Sequence, residues 1–218
     1  MQIAFDTSTS RPVLAIVDGG EVLFEWAGPG GTFHGETLLA GLEAGMEKNS
    51  LNWKQIRFIS VGIGPGTFTG LRIGVVIAKF LADPNNIPVV PVSSLQAQAL
   101  SAEPNLFDKS IRRVWSLTDA KRHEVYALAL EPSQLLPDFF VATEKEYAIS
   151  PESLALELGE SDLLLGEGAE NYSAFWPKTV SMAAVEWRYL QAKNIAAIGQ
   201  KKFDHGEALS AVAIEARY

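Results

Sequence analysis

The residues best suited to chemistry lie in a glycine-rich stretch, residues 60–76, with the sequence SVGIGPGTFTGLRIGVV. An apolar strand is predicted before its glycines and a helix after them. Such a turn places backbone N–H groups at the positive end of a helix, with two threonine hydroxyls beside them. The stretch is therefore a candidate anion-binding or nucleotide-binding loop, formed by Gly64, Pro65, Gly66, Thr67, Thr69 and Gly70.

Neither standard nucleotide motif fits this loop. A Walker A loop needs a lysine directly after its last glycine, and Leu71 follows Gly70. The dinucleotide motif needs a glycine where Thr67 stands. The alternative is structural: the glycines would allow a sharp turn and close packing of the helix on the sheet, and Thr69 would cap the helix.

Two aspartates could serve the same chemistry. Asp6, followed by Thr7, ends the first predicted strand, and Asp119 lies near the start of the second half of the chain. Carboxylates on either side of a cleft can orient Mg²⁺ and phosphates, as in actin-like kinases. In the alternative interpretation, which we favour, Asp6 caps the turn that follows it and Asp119 pairs with Lys121 or Arg122.

The sequence predicts no catalytic residue and no metal site. The three histidines, His34, His123 and His205, are far apart in the chain, so no two can form the i, i+4 pair that holds a metal on one helix. There is no cysteine, which excludes thiolate chemistry. There is also no G-x-S-x-G turn for a serine nucleophile.

Composition limits the partners that this chain can have. Its 218 residues carry a net charge of −8. This charge argues against nucleic-acid binding by the chain alone, because phosphate binding depends on lysine and arginine. The start has no basic leader and the chain has no apolar run of about 18 residues. We therefore expect a cytoplasmic protein that makes no membrane contact.

The order of the predicted elements positions these residues. Three strands come first, the second and third joined by a turn at Asp18, Gly19 and Gly20. Helices and strands then alternate, which predicts an α/β fold of two tandem ribonuclease-H-like half-domains with mixed sheets flanked by helices. Residues 103–110 are predicted to be a linker. The domains are thus expected at 1–101 and 102–218, with the terminal helix packing back on the first.

The first two helices of the chain also suggest a protein interface. Gly41 and Gly45 each cost about 1 kcal/mol in a helix interior relative to alanine, and small residues four apart allow another helix to approach closely. Core packing explains one apolar stripe per helix, but the first helix is apolar over a wider surface. The predicted partner interface comprises Leu38, Gly41, Leu42, Gly45, Leu71, Arg72 and Val75.

The loop carries a specific resemblance. GPGTFTGLRIG resembles the signature GPG[ST]FTGLRIG of the TsaB family, also called YeaZ. Four other segments resemble family segments: AFDTST, HGETLLAGL, VVPVSSLQAQA and TDAKRHEVYAL. The chain departs from the pattern at Gly35, Ala40 and Lys121, and the likeness is weaker after about Leu130.

The resemblance implies a function that the residues alone do not. It implies a non-catalytic subunit of the complex that adds threonylcarbamoyl to adenosine 37 of tRNA, paired with a catalytic TsaD-like subunit and reset by a TsaE-like ATPase. Contact with tRNA would occur only through the complex, no cofactor would be tightly bound, and ATP or ADP with Mg²⁺ could sit at the partner interface. Without the partner, a homodimer is expected. The alternative is an independent actin-like ATPase or small-molecule kinase that uses Asp6, Asp119 and the glycine loop.

Overall fold

The computed structural model describes residues 1–31, 34–105, 110–135 and 145–217. It divides into two compact units. The first comprises Met1–Ser94 with Gln191–Tyr218, and the second comprises Leu95–Leu190. Of the predicted linker, residues 103–105 belong to a 3₁₀ helix that spans Leu100–Asn105, and residues 106–109 lie outside the described residues.

The first unit is built on a five-stranded mixed sheet with the order β3-β2-β1-β4-β5. Strands β1 to β3 are antiparallel neighbours, and β4 and β5 add to β1 in parallel. The turn between β2 and β3 has positive φ at Gly19 and Gly20, as the hairpin prediction requires. The strands are β1 (Gln2–Asp6), β2 (Val13–Asp18), β3 (Glu21–Ala27), β4 (Phe58–Gly62) and β5 (Val89–Val92).

The second unit repeats this arrangement. Its sheet has the order β10-β9-β6-β7-β8, again with one antiparallel meander and two parallel additions. The strands are β6 (Arg113–Lys121), β7 (Glu124–Leu130), β8 (Tyr147–Ile149), β9 (Asp162–Leu165) and β10 (Ser181–Met182). Two units with the same ribonuclease-H-like strand order confirm the predicted α/β fold class.

Helices cover the sheets of both units. Their bounds are α1 (His34–Lys48), α2 (Phe68–Ala82), α3 (Ser94–Ala99), α4 (Pro151–Glu157), α5 (Glu167–Asn171), α6 (Val185–Arg188) and α7 (Ala192–Asp204). Short 3₁₀ helices include one at Ala211–Ala213. In the first unit, α1, α2 and the first sheet share a continuous apolar core.

Helix α7 explains why the end of the chain belongs to the first unit. A Cβ atom at Gly199 would lie 1.9 Å from Oγ of Ser60 on β4, so only glycine allows the helix to lie this close to the sheet. Ser60 Oγ donates to Oε1 of Gln2 at 2.9 Å, and Gln2 Nε2 donates to the carbonyl of Ala196 at 3.1 Å. The division expected from sequence, 1–101 and 102–218, follows chain order and therefore counts α7 in the second domain. The same prediction has this terminal helix pack back on the first domain.

Candidate functional site

The candidate site of the first unit is built around Asp6, which ends β1 and is fully buried. Its Oδ1 accepts the backbone N–H of Ser8 at 2.6 Å, and its Oδ2 accepts the hydroxyl of Ser94 at 2.5 Å. The Ser94 hydroxyl oxygen accepts the N–H of Gly64 at 3.1 Å, and the Ser94 N–H donates to the Gly64 carbonyl at 2.9 Å. Asp6 thus caps its own turn and, through Ser94, is tied to the glycine loop.

The glycine loop packs directly on the turn after β1. Thr7 Oγ1 donates to the carbonyl of Gly70 at 2.7 Å, and the N–H of Thr67 donates to the carbonyl of Ser8 at 2.7 Å. A Cβ atom at Gly70 would lie 2.0 Å from the carbonyl oxygen of Thr7. At Gly62, the glycine that ends β4, it would lie 1.7 Å from Oδ2 of Asp6. Close packing against this turn therefore requires glycine at both positions.

Less of the loop faces outward than the sequence suggests. The N–H groups of Gly64 and Thr67 donate within the protein, to Ser94 and Ser8. Pro65, which follows a cis peptide bond, is buried, and Gly66 is half-buried. Thr69 is exposed in the first turn of α2. Anion binding by this loop stays a prediction. The exposed residues that could bind the anion lie in the first turn of α2.

The start of α2 differs from the prediction. The helix begins at Phe68, and its N-cap residue is Thr67, whose side chain makes no capping hydrogen bond. Thr69 lies inside the helix, so its expected capping role was wrong. The loop packs on the turn after β1, where the N–H of Thr67 donates to the carbonyl of Ser8. Because Thr67 is held there, the helix begins directly after it, before Thr69.

A separate candidate site, in the second unit, is built around Asp119, which is 8% exposed near the end of β6. Its carboxylate accepts the N–H and the Nζ of Lys121, both at 2.8 Å. Asn171 Nδ2 donates to it at 3.2 Å, and the Tyr172 hydroxyl makes a weak contact at 3.5 Å. This is the pairing with Lys121 that the structural interpretation predicts.

Lys121 also sets the charge state of Asp119. Burial raises the pKa of Asp119, but the hydrogen bonds and positive charge of Lys121 outweigh burial and hold the pKa below its ordinary value of 3.8. The hydrogen bond to Asp119 in turn raises the pKa of Lys121 above 10.5. Both shifts favour the ionised pair, so the negative charge of Asp119 is compensated within its own unit.

Each aspartate is thus engaged by donors of its own unit. Among the described residues, no group of three histidine, cysteine, aspartate or glutamate side chains comes together as metal ligands would. Nε2 of His123 contacts Glu152 at 2.7 Å, and Nδ1 of His205 contacts the carbonyl of Lys201 at 2.8 Å. The side chain of His34 lies outside the described part of the structure.

Sequence reasoning predicted the turn cap at Asp6 and the pairing of Asp119 with Lys121, but it missed the more distant partners of both aspartates. Ser94 is the first residue of α3, while Asn171 and Tyr172 lie at the end of α5 and directly after it. The one available signal was the glycine-containing segment LLLGEGAENY, which ends a strand and begins a helix as the glycine loop of the first unit does.

The predicted interface residues lie largely inside the first unit. Four apolar members are buried in its core: Leu38, Leu42, Leu71 and Val75. The two glycines make room for aromatic rings of β3 in the same chain. A Cβ atom at Gly41 would lie 3.1 Å from the Trp26 ring, and one at Gly45 would lie 2.6 Å from the Phe24 ring. The packing reason predicted for these glycines therefore exists, but it lies within the chain.

The exposed surface of α2 is formed by Arg72, which belongs to the predicted interface, and by three residues that do not. Phe68, Arg72, Val76 and Phe80 follow one another at intervals of four and form what we call the outer α2 stripe. The three apolar members are 54%, 63% and 71% exposed, respectively. The Arg72 guanidinium lies 3.9 Å from the centre of the Phe68 ring. Leu39 adds a 37% exposed side chain on α1.

The described helices include none with the length and apolar composition needed to span a bilayer.

Comparison with known proteins agrees with the loop sequence and the topology. A family model described as TsaD, tRNA N6-adenosine threonylcarbamoyltransferase, matches residues 30–215. The tRNA threonylcarbamoyladenosine biosynthesis protein TsaB of Haemophilus influenzae is 28% identical over 225 residues, which cover 99% of this chain and 92% of that protein. TsaB of Bacillus subtilis is 32% identical over 124 residues, covering 57% and 52% of the two chains.

A solved structure shares the whole fold. YeaZ from Pseudomonas aeruginosa matches with a TM-score of 0.79 and 23% identity, over 100% of this chain and 98% of that one. With a family model that spans most of the chain and a relative aligned over nearly its full length, the chain belongs to the TsaB (YeaZ) family, within the glycoprotease-like group of threonylcarbamoyltransferase proteins.

Proposed function

We propose that this chain is a non-catalytic subunit of the complex that adds threonylcarbamoyl to adenosine 37 of tRNA, forming t6A. The observation that carries this proposal is the state of the two aspartates. Asp6 accepts hydrogen bonds on both carboxylate oxygens in one unit, and Asp119 is paired with Lys121 in the other. A carboxylate committed in this way is poorly placed to orient Mg²⁺, so we assign the chemistry to a partner.

The partner we propose is a TsaD-like catalytic subunit bound through the outer α2 stripe. The stripe combines two aromatic side chains, an aliphatic one and an arginine, a composition typical of interface hot spots. Its apolar members are more than half exposed in this chain, which isolated soluble proteins rarely show over a contiguous helix face. With Leu39 of α1 at its margin, we expect a buried area of about 800 Å² or more per partner.

We extend the same proposal to the remaining roles by analogy with the family. A TsaE-like ATPase joins the pair, tRNA is bound only by the assembled complex, and ATP or ADP with Mg²⁺ sits at the partner interface. The net charge of −8 supports a scaffold more than an RNA clamp. Alone, the chain pairs with a second copy through the same stripe. We place this work in the cytoplasm, where tRNA is modified.

Charge substitutions on the stripe test this proposal. Val76→Glu and Phe80→Glu each place a carboxylate on the proposed interface while leaving the core untouched. Leu156→Glu is the matched control, since Leu156 is 89% exposed on α4 of the other unit. We expect the two stripe variants to weaken co-purification with the TsaD-like subunit by at least about tenfold and to lower t6A in tRNA of cells that depend on this chain.

Two results would argue against the proposal. One is normal assembly and normal t6A with both stripe variants. The other is ATP hydrolysis by the isolated chain that saturates with substrate, which would favour an independent ATPase or kinase.

A further inference from the structure

The turn between β6 and β7 has an unusual backbone. Lys121, Arg122 and His123 are consecutive residues with φ of 64°, 51° and 64°. All three lie in the left-handed region, which strongly favours glycine and tolerates asparagine and aspartate. Lys121 pairs with Glu124 in the strand register, so Arg122 and His123 are the two central residues of a tight hairpin.

Local stability does not account for these residue types. A two-residue hairpin with positive φ at both central positions favours the pair Asn-Gly or Asp-Gly. The chain instead places an arginine and a histidine there, directly after a lysine. Residues held in unfavourable backbone regions cluster at binding sites and active sites, where their side chains have a task that offsets the strain.

The contacts around the turn leave one cationic group available. Lys121 is committed to Asp119, and His123 contacts Glu152. The Arg122 side chain is exposed and, within the described part of the chain, makes no hydrogen bond or ion pair. The turn therefore presents the Arg122 guanidinium at its tip, and the residues on either side of Arg122 are held by contacts with acidic side chains.

Aromatic rings pack against the next residue of the turn, His123. The His123 ring meets Tyr172 and Phe175 edge-on, with centroids 5.8 and 5.4 Å away. Phe175 is 39% exposed. The turn therefore combines an exposed guanidinium with an exposed ring, Phe175, that contacts the adjacent residue His123. This combination suits a nucleic acid better than an acidic peptide, because the guanidinium can bind phosphate through paired N–H donors and a base can stack on the ring.

We propose that the turn at residues 121–123 is an RNA contact, at which Arg122 binds a backbone phosphate of the tRNA held by the assembled complex. This inference rests on the proposed function. The exposed carboxylates of Glu124 and Glu152 flank the turn, and the chain as a whole is acidic. The contact is therefore a single phosphate, and its effect depends on a partner that holds the rest of the RNA.

The test is tRNA binding by the reconstituted complex of this chain with its TsaD-like subunit, measured over a range of salt concentrations. The variant is Arg122→Glu, and Arg122→Lys keeps the charge. The matched control is Arg112→Glu, an exposed arginine of the same unit next to the other end of β6, about 30 Å away along the strand.

We expect Arg122→Glu to weaken tRNA binding about fivefold at low salt and to reduce the log–log salt slope by about 1, while Arg112→Glu leaves both unchanged. Arg122→Lys should retain most of the affinity. Equal behaviour of Arg122→Glu and Arg112→Glu would overturn the inference. A loss of subunit assembly in Arg122→Glu, with tRNA affinity intact in the complex that remains, would also overturn it and identify the turn as a protein contact.

The unsubstituted complex distinguishes a failure of the RNA contact from a failure of the proposed function. If it assembles and binds tRNA but Arg122→Glu has no effect, only the RNA contact fails. If the unsubstituted chain does not assemble with the TsaD-like subunit, the proposed function itself fails.

Discussion

The hydroxyl of Ser94 donates to the buried carboxylate of Asp6 at 2.5 Å and accepts the N–H of Gly64 at 3.1 Å. One small side chain therefore joins the end of β1, the glycine loop and the start of α3. In an actin-like ATPase, a carboxylate at the end of the first strand would be expected to serve Mg²⁺ and phosphates. In this chain the carboxylate is used to hold the loop from which α2 begins.

We predict that Ser94→Ala destabilises the first unit by about 1–3 kcal/mol, because Asp6 and the Gly64 N–H each lose a partner in a buried site. Ser210→Ala is the matched control, since Ser210 is exposed in the same unit and its side chain makes no capping bond. Urea unfolding of the two variants measures the difference. Equal stability would mean that water or a rearranged loop replaces Ser94.

Gly45→Leu tests the contact between α1 and β3. Its Cβ would lie 2.6 Å from the Phe24 ring, so we expect a loss of about 2 kcal/mol or more from forced displacement of the ring or the helix. Ala44→Leu, at the exposed neighbouring position, should change stability by less than about 0.5 kcal/mol. Thermal unfolding of the isolated chain measures the stability of both variants. A fully stable Gly45→Leu monomer that no longer binds its partner would instead restore the predicted interface role of this glycine.

Gly41 and Gly45 show which features of the fold could be predicted from the sequence and which could not. The strand order, the hairpin at Gly19 and Gly20, and the family all followed from local patterns. Helical spacing also showed that Gly41 and Gly45 need a packing reason. It could not show which neighbour they face, because Trp26 and Phe24 come from a strand whose position is set by tertiary packing.

The hydrogen bond between Ser94 and Asp6 could not be predicted from the sequence for the same reason. Ser94 is 88 residues from Asp6 in the chain, and nothing in the sequence pairs them. The return of α7 to the first sheet depends on Gly199 meeting Ser60, again across a long separation. By contrast, Asp119 and Lys121 are two residues apart, so their pairing could be predicted directly.

The Asp119–Lys121 pair predicts an acid-dependent loss of stability in the second unit. The folded pKa of Asp119 lies below its ordinary value, so the pair stabilises the fold above that value and the stabilisation is lost as pH falls through the folded pKa. Lys121→Met should raise the pKa of Asp119 and flatten the pH dependence of unfolding between about pH 2 and 5. NMR titration of the Asp119 carboxyl, with Lys178→Met at an exposed site of the same unit as control, measures the shift. An unchanged pKa in Lys121→Met would mean that Asn171, and not Lys121, offsets the effect of burial.

Backbone strain at the β6–β7 turn can be measured without any partner. Arg122→Asn keeps the contacts of His123 and places a residue that tolerates positive φ, so we expect stabilisation by about 0.5–1 kcal/mol. Arg122→Val, with a branched side chain at the same φ, should destabilise by a similar amount or more. Chemical denaturation of both variants tests the prediction. If Arg122→Asn proves less stable than the parent, the arginine has a structural role and the strain argument fails.

The central claim is that this chain supports chemistry performed by another subunit. The most direct measurement is threonylcarbamoyl transfer to tRNA, with ATP hydrolysis followed in parallel, by the purified chain alone, by the TsaD-like subunit alone and by the two together with a TsaE-like ATPase. We predict no transfer and no ATP hydrolysis above the blank for the chain alone, and transfer that depends on its addition to the other subunits. Substantial turnover by the chain alone would contradict the claim.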